Sequence, residues 1–121
     1  MAEDLYDGFP VITASGPITA ESLVELGKLI REYCENAEVK GVIIDCKQIE
    51  GALSSQSLFK ATPEFTAVVG QQIKVAYINK PKCWPPDVDQ FSRDLAYNRG
   101  GHLELFETKD DAVGWLQQPL L

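Results

Sequence analysis

The chain has 121 residues, of which 45% are hydrophobic and 24% charged, and its net charge is -7. That is enough chain for one core and too little for two, so residues 1–121 are expected to form a single domain. Eleven Lys and Arg scattered among eighteen Asp and Glu exclude the basic patches that grip nucleic acid or an anionic membrane surface. Cys34, Cys46 and Cys83 show no C-x-x-C spacing, and a single His completes no zinc set. They read as reduced, buried thiols. The start, MAEDLYDGFP, is acidic and lacks an apolar signal core. No apolar run approaches the roughly 20 residues of a membrane span, so a cytoplasmic chain is expected.

In chain order, Asp7-Gly8 is a tight-turn dipeptide, and it predicts a hairpin of Asp4–Tyr6 with Phe9–Ala14. Ser15-Gly16-Pro17 is expected to break the second arm. Thr19 then reads as an N-cap with Glu21 in the first turn, and Leu23, Leu26, Ile30 and Tyr33 line one face of a helix to about Glu35. Val42 to Cys46 is an apolar strand of the kind buried on both faces.

After a turn at Glu50-Gly51, Leu53-Ser54-Ser55 opens a helix that uses Leu58 and Phe59. Thr62-Pro63 reads as the start of a separate helix ended by Gly70, with one kinked helix as the competing reading. A strand over 73–78, a loop over 79–86 and a helix with Val88, Phe91 and Leu95 follow. Leu103, Leu105 and Phe106 mark the last strand. Thr108 caps a final helix whose Ala112, Trp115 and Leu116 face inward. The fold class is α/β: a four- or five-stranded, mostly parallel (mixed) sheet with βα alternation.

Several residues invite a functional reading. Ser54, Ser55 and Ser57 stand at a helix start, where a phosphate would be favoured by the dipole, although Ser54 as a plain N-cap is the simpler role. Asp45 reads as a strand-end turn former, since no partner completes a catalytic set with it. Trp84, in a loop with Lys80, Lys82 and Cys83, suits a ligand cap or a partner anchor, and equally a ring packed on Pro85 and Pro86. Cys83 is a weak nucleophile signal. His102 and Arg99 read as surface and helix-end residues. Asp87, Asp89 and Asp94 read as a solvated face, and Asp110 and Asp111 as first-turn acids. No glycine pattern cradles phosphate.

The run Val42-Ile43-Ile44-Asp45 followed by Leu53-Ser54-Ser55 resembles the centre of the STAS fold of anti-anti-sigma factors. The likeness is nearer to its SpoIIAA-like branch. It rests on Glu50-Gly51-Ala52-Leu53-Ser54, on Asn98-Arg99-Gly100, and on Phe106 with Ala112-Val113-Gly114-Trp115-Leu116. It covers most of the chain. The resemblance implies a bacterial, non-catalytic regulatory module with no cofactor. Such a module would bind a protein partner, or form a homodimer, through Ser54, Ser55, Ser57, Leu58, Phe59 and Trp84. A small apolar ligand lined by Phe59, Phe65 and Trp84 is the alternative. Anti-anti-sigma factors carry Asp-Ser-Ser-Gly-Leu at this helix start. The leading Asp and the Gly are absent here, so phosphorylation of Ser54 or Ser55 does not transfer directly.

Overall fold

The computed structural model describes residues 2–51, 54–70, 72–79 and 102–118. The Asp7-Gly8 turn joins β1 (Ala2–Tyr6) to β2 (Phe9–Pro17) in antiparallel register, with Tyr6 opposite Phe9. Both turn residues have positive φ, 51° and 88°, as a two-residue loop matching the strand twist requires. The hairpin expectation holds. The break at Ser15 does not.

Ser15, Gly16 and Pro17 stay in the sheet because β3 (Gly41–Glu50) runs longer than its apolar core and pairs them with Gln48, Ile49 and Glu50. Pro17 has no N–H to give at the end of this ladder. The Ile18 N–H closes it instead, donating to the Glu50 carbonyl at 3.0 Å.

One residue more is spent on β3 than on β2 between the pairs Thr13–Asp45 and Ser15–Gln48, which is a β-bulge at Cys46-Lys47. Asp45 steadies it: its Oδ1 accepts from the Lys47 N–H at 3.1 Å, a local side-chain bond of the Asx type. The extra residue inverts the alternation. Val42, Ile44 and Cys46 share one face before it, and Ile49 rejoins that face after it.

The strand order is β1-β2-β3-β4-β5, with β4 over Lys74–Ile78 and β5 over His102–Phe106. Among the described residues only the β1–β2 pair is antiparallel, so the fold is α/β on a mixed sheet of five described strands. Helices α1 (Ala20–Ala37) and α2 (Ser55–Val69) cover one face and α3 (Lys109–Leu116) covers the other. Ile30, Cys34 and Phe65 meet Val42 and Ile44, while Ala112, Val113 and Leu116 meet Ile43 and Ala76. The helix expected around Val88, Phe91 and Leu95 lies outside the described residues.

Thr19 caps α1 as its sequence suggests: its Oγ1 accepts from the Ser22 N–H at 3.0 Å, and its own N–H donates to Ser22 Oγ at 2.8 Å. The expected division at Thr62-Pro63 is overturned. α2 is one helix with Pro63 inside it, and Thr62 is buried instead of capping a second helix. An internal proline costs about 3 kcal/mol in lost hydrogen bonding and crowding. Burial of Ala61, Thr62, Phe65 and Thr66 around it opposes that cost.

Neither α2 nor α3 has a basic residue in its last turn, and each receives a cation from elsewhere. Arg31 of α1 donates to the Val68 carbonyl at 3.2 Å. Lys74 of β4 donates to the carbonyls of Trp115 and Gln118 at 2.8 and 2.6 Å, with its ammonium 4.9 Å from the Trp115 ring centre.

Gly41 marks a close approach between the sheet and α3. A Cβ there would sit 3.0 Å from both the Leu116 side chain and the Phe9 ring. Gly41→Ala is therefore expected to destabilise the fold by about 1–3 kcal/mol through overpacking. A lower urea midpoint with an unchanged slope is the signature; an unchanged midpoint would show that Phe9 and Leu116 yield freely.

Candidate functional site

The candidate surface is the junction where β3 hands over to α2. β3 continues for five residues past Asp45, roughly 17 Å at about 3.3 Å per residue. Gly51, at φ 77°, then turns the chain. Asp45 therefore does not end the strand. Alternation puts its side chain with Ile43 on the α3 face, whereas α2 packs on the opposite face. Asp45 and the serines do not form one site. The carboxylate is 7% exposed, and its Oδ1 accepts from both the Lys47 N–H and Asn79 Nδ2, each at 3.1 Å. It ties the bulge to the end of β4.

At the helix start, Ser54 is the N-cap, extended at φ -68° and ψ 162°. Its Oγ accepts from the Ser57 N–H at 3.1 Å, and the two hydroxyls lie 3.2 Å apart. Ser54 and Gln56 are exposed and Ser57 half-buried, and no acidic residue occupies the first turn. Ser55, Leu58 and Phe59 lie on the first two turns of the same helix, so the fold gathers five of the six expected binding positions onto one element. Trp84 lies outside the described residues, as do Lys80, Lys82, Cys83, Asp87, Asp89, Asp94 and Arg99.

Phe65, expected to line an apolar ligand site, is buried against α1, its ring 3.1 Å from where a Gly27 Cβ would stand. It borders a shallow depression shared with Val69, Val75, His102 and Leu103. That depression has a volume of about 10 Å³, room for one water molecule. His102 opens β5, half-buried at this rim. Among the described residues no three His, Cys, Asp or Glu side chains group as metal ligands. None of the helices there is long and apolar enough to cross a membrane.

Cys34 and Cys46 are inert by placement. Burial raises the Cys34 thiol to about 11 and the Cys46 thiol to about 12, with Asp45 adding to the latter. Both are free, and Cys46 Sγ donates weakly to the Ile44 carbonyl at 3.8 Å.

Searched against family models, the chain matches none. No curated protein matches it either.

Three features have no local sequence signal. Lys74 sits in an apolar strand yet is 6% exposed, and burial lowers its pKa. Tyr6 donates its hydroxyl to Asp110 Oδ1 across 104 positions, with Lys109 over the ring. That bond is the main cause of its raised pKa. Tyr77 is buried near Cys46 with its hydroxyl unpartnered among the described residues, and desolvation holds its pKa well above the usual value. Alternation alone identifies Tyr77 as inward-facing, but not that its hydroxyl lacks a partner.

Three outcomes follow. Ser54→Ala should lower stability by about 1 kcal/mol through loss of the cap. Ser57→Ala should cost less, because its backbone N–H remains to donate; equal losses in thermal melts would assign the effect to the hydroxyl pair. Tyr77→Phe should raise stability by roughly 1 kcal/mol, since it removes an unpaired buried polar atom of the same shape. A clear loss in urea melts would mean the hydroxyl is bonded in solution. Finally, both thiols are raised in the fold above an ordinary 9.0, so their stabilising contribution is complete below pH 9. It is lost as pH rises through about 11 and about 12. Lys74, with its lowered pKa, acts in the opposite sense. The denaturation midpoint should fall above pH 9, and less steeply in a Cys34→Ala, Cys46→Ala protein; identical slopes would refute the assignment.

Proposed function

We propose that the chain is a non-catalytic, STAS-like regulatory module of the bacterial cytoplasm that docks a protein partner through the first turns of α2. The observation that carries this reading is the division of α2 along its length. Ala61, Thr62, Phe65, Thr66 and Val69 are buried and fix the helix to the sheet, while Ser54 and Gln56 at its start are exposed. A helix held rigidly behind and open in front presents polar groups without the entropy cost of ordering a loop. An antiparallel hairpin followed by parallel βα units is the architecture that a STAS-like domain would have.

A phosphate on Ser54 or Ser55 fits the same surface. The helix dipole favours a doubly negative group there, and no first-turn acid repels it. The net charge of -7 would add selectivity by repelling acidic partners.

A photo-crosslinking residue placed at Gln56, and in a control at exposed Glu32 of α1, tests the docking face in cells that make this protein. One discrete adduct from position 56 and none from 32 is the expected outcome, and an adduct of twice the chain mass identifies a second copy as the partner. Adducts from both positions alike, or from neither, would sink this reading.

A further inference from the structure

We draw no further inference here: the strongest candidate, the buried and unpartnered Tyr77 hydroxyl near Cys46 on the helix-covered face of β4, carries nothing because no cavity among the described residues shows what group would meet it.

Discussion

The first six residues of β3 have no water on either side. Gly41 to Cys46 are all buried, and Val42, Ile43 and Ile44 are fully so. Each such side chain contributes about 1.5–3 kcal/mol when removed from water, but only if both faces are covered. That constraint sets the architecture. α1 and α2 close the Val42 and Ile44 side, α3 closes the Ile43 side, and β2 and β4 satisfy the backbone between them. The carboxylate that follows, Asp45, survives burial because two donors meet it.

The helices covering that strand are completed by residues outside themselves. Arg31 and Lys74 supply the cations that the last turns of α2 and α3 lack. Lys74 is the more costly device, since an ammonium in a strand loses hydration. Two carbonyl acceptors and the Trp115 face replace part of what water gave. The effect is to couple the layers. α2 is held by a residue of α1, and α3 by a residue of the sheet, so neither covering layer is secured by apolar contact alone.

Much of this was legible from local chemistry. Asp7-Gly8, Thr19, Ser54 and Thr108 each act as their residue types suggest, because a turn or an N-cap depends on groups within three residues. Reading failed where a distant partner outweighed a local signal. Ser15-Gly16-Pro17 carries the residues of a stop, yet 48–50 of β3 draw it into the ladder. Thr62-Pro63 carries the residues of a helix start, yet burial of Thr62 and Phe65 holds a single helix through it. The candidate site was legible as one helix start and no further. The alternation that makes Asp45 conspicuous also turns it to the other face from the serines. Arg31 and Lys74 reach carbonyls 37 and 41 or 44 positions away, beyond any window of local pattern.

The bulge at Cys46-Lys47 gives the outer arm of β3 an unusual dependence on counting. Ile49 reaches the helix-covered side because the bulge absorbs one residue before it. Pairing the same residues without the bulge would turn Gln48 and Glu50 toward the apolar layer and Ile49 toward solvent, with no change in the arm's own composition. Loss of one of the two bulge residues would instead restore plain alternation and leave Ile49 on the same side, so the bulge is what reconciles this spacing with the ladder.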